Sequence, residues 1–168
     1  MFRILAIGLL IFTSVQVMAA ESSRKRLPGF NGILFGTPFE TAKRKLGPDA
    51  KADKDPADPK VNILLGRADI YGQVFAVNYT FGKNDRLSTV FAVAKIPPGD
   101  FTVCKFHWTK ILSSLKNEYG VPDSAKSQLD ATIQFADVSF AFGDGATIDA
   151  SLMGCLLMIT YTAADGAR

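Results

Sequence analysis

The chain has 168 residues, of which 48% are hydrophobic and 21% are charged, a composition typical of globular proteins. The 19 Lys and Arg against 16 Asp and Glu give a formal net charge of +3, which is too small to indicate nucleic-acid binding. With one His and two Cys, the chain lacks ordinary zinc-ligand spacing. We therefore expect no nucleic-acid partner, no metal and no other cofactor.

Residues 1–20 have the pattern of a cleavable signal peptide. Arg3 supplies a short positive region, Ile4 to Phe12 form an unbroken apolar run, and Ala19-Ala20 offers a small-residue cleavage site. The alternative is a transmembrane anchor, for which the apolar stretch is marginal in length. We expect an exported protein, periplasmic or secreted, with no stable membrane insertion after cleavage.

Flanking segments bound one predicted domain. Residues 21–28 are expected to form a flexible, solvated basic arm, although its run of positive charges could touch an anionic surface. Residues 163–168 are expected to form a frayed tail. The intervening residues 29–162 are predicted to fold as a single α+β domain, an antiparallel sheet covered by two helices.

The first predicted element is a short helix over residues 38–46. Thr37 is its predicted N-cap, in a T-x-x-E capping box with Glu40, and Gly47 ends it. Residues 49–60 form a charged loop whose aspartates lack the order of a calcium-binding loop, so we expect no metal there.

Three strands are predicted next, and strict alternation assigns their faces. They span Val61 to Ala68, Val74 to Phe81 and Leu87 to Ala94. Alternation places the following residues of the second strand on one face: Phe75, Val77, Tyr79 and Phe81. It groups another four in the third strand: Leu87, Thr89, Phe91 and Val93. The second and third strands form an antiparallel hairpin with a strongly aromatic face.

A longer helix is predicted over residues 102–119, with an apolar stripe that includes Cys104. The stripe directs Cys104 at the sheet, which favours a disulfide with Cys155, the other cysteine of the chain. A reactive thiol or a metal pair is the alternative. The remaining strands are predicted within residues 133–142, 146–152 and 155–162, the last of them central because it is almost wholly apolar.

The two predicted helices end alike. Leu46-Gly47-Pro48 closes the first and Tyr119-Gly120-Val121-Pro122 the second, and each is followed by a charged stretch and strands with a Phe-Gly turn. Duplication of one unit would divide the domain into half-repeats 29–96 and 97–162. Coincidence is the alternative, because Gly-Pro helix ends are common.

The segment GTPFETAKRKLGP at residues 36–48, ahead of an antiparallel sheet, resembles small exported bacterial proteins with a β-lactamase-inhibitor-protein-like fold. At this element it is also similar to the small lipoprotein of the outer-membrane barrel-assembly machine. The resemblance implies a short helix packed on a curved sheet. It also implies two tandem units, over residues 29–162, that present a concave face to a protein partner. Unlike the lipoprotein, this chain has no Cys near the predicted cleavage point.

Catalytic chemistry has little support in the sequence. His107 is the one histidine available to a nucleophile, and a Cys104 thiol would be lost in a disulfide. Asp137, Asp144 and Asp149 lie at strand or turn positions where a solvated aspartate is ordinary. We expect no catalytic residues, and an enzyme using paired carboxylates is the least favoured alternative.

The favoured hypothesis is an exported, non-catalytic domain that binds another exported or envelope protein. It would inhibit a secreted hydrolase or assist envelope assembly. A carrier of a small apolar ligand or lipid is the alternative, since the chain has 13 Phe. The partner would contact exposed aromatics on the sheet face left open by the helices. The candidates are Tyr71, Phe75, Tyr79, Phe140 and Phe142. The partner, the open face and the oligomeric state stay undetermined.

Overall fold

The structure is a computed structural model that describes residues 26–82, 84–97, 101–129 and 134–164. The predicted signal peptide and most of the predicted arm lie outside the described residues. The described chain has an α+β fold, built from an antiparallel eight-stranded sheet, a two-stranded sheet and two helices.

The helices are α1 (Phe39–Leu46) and α2 (Phe101–Tyr119), within a residue of their predicted bounds. The small sheet pairs β1 (Gly29–Phe30) with β2 (Ile33–Leu34). The first four strands of the large sheet are β3 (Lys51–Lys54), β4 (Asn62–Ile70), β5 (Gln73–Phe81) and β6 (Leu87–Lys95). The other four are β7 (Ser124–Leu129), β8 (Gln134–Ala141), β9 (Thr147–Met153) and β10 (Leu156–Thr162).

The strand order of the large sheet is β3-β4-β5-β6-β10-β9-β8-β7, and all neighbours are antiparallel. The prediction that the last strand is central is confirmed. The central pair is β6 and β10. The other strands that follow α1, β3 to β5, lie on the β6 side of this pair, and the other strands that follow α2, β7 to β9, lie on the β10 side. The order is therefore symmetrical about the centre of the sheet.

The buried side chains of the sheet form one face, which we call the inner face. On β5 it contains Phe75, Val77, Tyr79 and Phe81, as the alternation predicts. Both helices contact this face through aromatic rings. Phe39 of α1 lies 5.1 Å from Phe81, measured between ring centroids, and Tyr119 of α2 lies 6.2 Å from Phe140.

The predicted faces of β6 are wrong beyond Leu87. Leu87 pairs with Phe81 and Thr89 pairs with Thr80, so Ser88 is an extra residue that forms a β-bulge. The Ser88 hydroxyl donates to the Thr80 carbonyl over 3.2 Å, and its own carbonyl accepts a hydrogen bond from the Ala163 amide. The bulge shifts the alternation by one residue. Thr89, Phe91 and Val93 therefore lie on the face opposite to that of Phe81.

The predicted capping box at α1 is also wrong. Pro38 is the N-cap residue, and no side-chain hydrogen bond caps the helix. The backbone of Thr37 instead accepts a hydrogen bond from the Leu87 amide, and the amide of Phe39 donates to the Asp85 carbonyl. The tertiary contact with the β5–β6 turn therefore satisfies an amide that a capping side chain would otherwise bind.

Edge strands extend the sheet beyond the prediction. β3 lies inside the predicted loop 49–60, and β7 occupies the charged stretch after α2. The packed region is also longer than residues 29–162. Leu27 is 3% exposed, and Ala163 is fully buried with its amide bonded to Ser88.

Candidate functional site

The disulfide between Cys104 and Cys155 is present, with the two Cα atoms 5.2 Å apart, as the sequence predicts. Cys104 lies near the start of α2. Cys155 lies in the two-residue turn between β9 and β10, where Gly154 has a φ of 61°. The bond therefore fixes one end of α2 to a hairpin at the centre of the sheet, and it leaves Cys104 without a thiol beside His107.

Four of the five candidate partner-binding aromatics belong to the core, so their predicted exposure is corrected. Phe75, Tyr79 and Phe140 are fully buried, and Phe142 is 7% exposed. Tyr119 of α2 packs edge-on against both Phe140 and Phe142, and Phe30 of β1 lies 6.0 Å from Tyr79, measured between ring centroids. The aromatic alternation in the sequence marks the buried face of the sheet.

Tyr71, the fifth candidate, is half-buried in the turn between β4 and β5. Its hydroxyl donates a hydrogen bond of 2.6 Å to Glu118 Oε2 near the end of α2. Burial raises the pKa of Tyr71 far above its ordinary value of 10.0, and the hydrogen bond to Glu118 adds to that rise. The hydroxyl therefore stays protonated across the physiological pH range.

The side chains that alternate with the buried ones form the outer face of the large sheet. Its centre carries an apolar band that crosses β5, β6, β10, β9 and β8 and is interrupted by the exposed Lys95 of β6, which pairs with Leu156. Neighbouring members are paired across the strands, as Val93 is with Met158 and Met153 with Leu156. Met153 and Val74 are each 57% exposed. The band consists of Val74, Phe91, Val93, Phe135, Met153, Leu156 and Met158.

Polar side chains border the apolar band on the outer face. Threonines of four adjacent strands form one row: Thr80, Thr89, Thr162 and Thr147. Charged residues occupy both sides of the sheet: Lys51, Asp53, Arg67 and Asp69 near one edge, and Lys126, Asp137 and Asp149 near the other. An apolar centre inside a polar rim is typical of protein interfaces.

The carboxylates considered in the sequence analysis have local partners. Asp149 accepts hydrogen bonds from Ser139, at 2.6 Å, and from Thr147, at 3.1 Å. Asp144 accepts from the Ala146 amide in the β8–β9 turn. No group of three or more His, Cys, Asp or Glu within the described ranges could hold a metal ion.

Two of the clefts on the described surface lie at the ends of the helices. One, of about 590 Å³, lies between the end of α1 and strands β3 and β4, and its lining includes Asp49, Lys51 and Arg67. The other, of about 540 Å³, lies between the β1–β2 hairpin, the β4–β5 turn and the end of α2. The β1–β2 hairpin was not predicted, although Asn31-Gly32 is a strong hairpin signal.

The chain was compared with protein-family models, with curated proteins and with solved structures, and none of the three comparisons finds a match. Within the described residues, neither helix is long and apolar enough to cross a membrane.

Proposed function

We propose that this chain is an exported, non-catalytic protein-binding domain and that the outer face of its large sheet contacts the partner. The partner is another exported or envelope protein, either a secreted hydrolase that is inhibited or a component of envelope assembly. The observation that carries the proposal is the apolar band, which continues across strands at the centre of an accessible face. Large contiguous apolar surfaces mark interaction sites in soluble proteins.

The size of the outer face supports a protein partner. Eight strands spaced about 4.8 Å apart span about 34 Å, and seven residues of strand extend about 23 Å. The product of these lengths, about 780 Å², is close to the roughly 800 Å² that each partner contributes to an ordinary stable interface. Phe91 and Met158 at its centre are residue types that are enriched in interfaces.

The arrangement of helices also supports the outer face as the binding face. The aromatic contacts of α1 and α2 are with inner-face residues, so we propose that both helices cover that side and leave the outer side free. We further infer that α1 with β3–β6 and α2 with β7–β10 are tandem units. The symmetrical strand order supports this inference, and it agrees with the tandem inhibitors that the α1 segment resembles.

Export is supported by the disulfide, because such bonds persist mainly in oxidising compartments. Mass spectrometry of the protein purified without reductant tests this part of the proposal. We expect an oxidised chain that begins near Glu21. Two free thiols, or a chain with an intact leader, would contradict export.

Affinity capture with paired variants tests the binding face. The oxidised protein is used as bait in a native extract of envelope and secreted proteins, beside Met158→Glu and Phe106→Glu. Met158 lies in the apolar band, whereas Phe106 lies on α2 and is 66% exposed. We expect one stoichiometric partner, with affinity lowered at least about thirtyfold by Met158→Glu.

The matched control decides the outcome. Phe106→Glu adds the same charge to an exposed apolar position on the helix side, and it should leave the affinity within about twofold. Equal binding by both variants, or loss with Phe106→Glu alone, contradicts the outer face as the interface. Native mass spectrometry of the same bait addresses the alternative hypothesis, because a co-purifying apolar ligand without a protein partner would favour a carrier.

A further inference from the structure

The cleft of about 540 Å³ at the end of α2 combines aromatic and acidic residues. Four aromatic residues line it: Phe30, Tyr71, Tyr119 and Tyr161. Two carboxylates, those of Asp69 and Glu118, also line it. We call this site the tyrosine cleft. Its volume lies within the roughly 300–1,000 Å³ that is usual for small-molecule sites.

The aromatic residues are fixed by contacts with one another and with the sheet. Phe30 lies 4.8 Å from Tyr161, measured between ring centroids, and its β1–β2 hairpin holds it over the inner face. Tyr161 is 3% exposed, whereas Asp69 and Glu118 are exposed. The cleft therefore has an aromatic base and an acidic rim.

The turn that carries Tyr71 gives a further indication of a binding role. Tyr71 has a φ of 55°, a left-handed conformation that Gly or Asn adopts with less strain. Asp69 already supports this turn by accepting a hydrogen bond of 2.6 Å from the Gly72 amide. The turn itself therefore has no need of a tyrosine at this position, whereas the cleft gains an aromatic ring.

The electrostatics of the cleft favour a cation. None of its ten lining residues is basic, and within the described ranges no ion pair joins Asp69 or Glu118 to a Lys or Arg. The Lys110 side chain lies against Gly72 but does not line the cleft. Aromatic rings attract cations through their quadrupoles, and the two carboxylates add direct charge attraction.

We propose that the tyrosine cleft binds a small quaternary ammonium compound. A quaternary ammonium group is weakly hydrated, so its methyl groups pack on aromatic rings while its charge faces the carboxylates. A metal ion would instead need several oxygen ligands to replace its water. The proposal does not rest on the proposed function, because no residue that lines the cleft belongs to the apolar band.

A ligand pair that differs only in charge tests the proposal. Choline and its neutral isostere 3,3-dimethylbutan-1-ol are titrated into the oxidised protein, and binding is followed by calorimetry. We expect saturable binding of choline that is at least about tenfold tighter than binding of the isostere. Equal binding of the two compounds, or no saturable binding of choline, overturns the proposal.

Charge variants locate the binding to the cleft. Glu118→Gln should weaken choline binding about fivefold, whereas Lys110→Gln should strengthen it about twofold, because the two charges have opposite signs. Glu40→Gln is the matched control, since Glu40 is an exposed carboxylate on α1. An equal effect of Glu118→Gln and Glu40→Gln contradicts binding in the cleft.

Ring variants separate the aromatic contribution from folding. Phe30→Leu should weaken choline binding about fivefold, and Phe106→Leu on the exposed side of α2 should not change it. Tyr71→Phe retains the ring and should leave binding within about twofold. Thermal unfolding of each variant checks the fold, and unchanged binding in a folded Phe30→Leu protein contradicts the aromatic base.

Discussion

The two faces of the large sheet contain similar residues in very different surroundings. Phe75 of β5 is fully buried on the inner face, whereas Phe91 of the adjacent strand β6 is only half-buried on the outer face. Helical aromatic rings contact the inner face, while the outer face combines its apolar band with threonines and charges. Residue type therefore does not distinguish core from candidate interface in this protein, and strand register does.

The largest expected difference between the faces is in unfolding free energy. Phe75→Ala should lower it by about 4 kcal/mol, since the substitution leaves a cavity in a fully buried site. Phe91→Ala should lower it by only about 1 kcal/mol, because the half-buried site can refill with water. Urea unfolding measures both values. Equal costs would contradict the assignment of the two faces.

Loss of the disulfide should lower stability without altering the outer face of the folded protein. Replacing both cysteines, Cys104→Ser with Cys155→Ser, should lower the unfolding free energy by about 3 kcal/mol, because it removes a constraint on the unfolded chain. Side-chain NMR of Met158 should stay unchanged in the folded variant. A shifted Met158 signal would show that the two faces are coupled.

The buried Tyr161 of the inner face should make the stability of the protein fall at alkaline pH. Burial raises the pKa of Tyr161 far above its ordinary 10.0, and the charge of Glu118 adds to the rise. Above pH 10 the unfolded chain loses this proton while the folded chain retains it, so the unfolding free energy falls as pH rises. Tyr161→Phe should reduce this fall by about 1.4 kcal/mol per pH unit. Denaturant unfolding at pH 9, 10 and 11 measures it, and identical slopes would contradict it.

A smaller effect, in this case a gain in stability, is expected from Tyr79→Phe. Within the described ranges the buried Tyr79 hydroxyl has no partner at full hydrogen-bond geometry, and the interaction with Asn31 that lowers its pKa is outweighed by burial, which raises it. Its removal should raise the unfolding free energy by about 1 kcal/mol. Thr160→Val is the outer-face counterpart, and it should change the value by less than about 0.5 kcal/mol because Thr160 is partly solvated. Destabilisation by Tyr79→Phe would indicate that the hydroxyl is bonded.

Strong periodicity made much of the fold predictable from the sequence. Alternation identified β5, and Gly47 and Gly120 marked both helix ends, where each has a positive φ and donates its amide to a helix carbonyl. The edge strand β3 was missed because its residues are exposed on both faces, so its sequence has no apolar alternation. β3 is a strand because it forms backbone hydrogen bonds with β4, not because of its own sequence pattern.

The candidate site was predicted less well, because it depends on register. One extra residue, Ser88, separates Phe91 from Leu87, with which it was predicted to share a face, and places Phe91 on the outer face. Met158, a flexible apolar residue suited to interfaces, was not among the predicted candidates, all of which are aromatic. Tyr71 reached the tyrosine cleft through contacts across the fold, with Glu118 47 positions away. Such contacts leave no local pattern in a sequence.

Photo-crosslinking tests the central proposal, binding through the outer face, most directly. A photoreactive phenylalanine is placed at Met158 in one protein and at Phe106 in another, and each is irradiated with the captured partner. We expect a crosslinked complex from position 158 and none from position 106. A complex formed from position 106 alone would show that the partner contacts the helix side, and it would contradict binding through the outer face.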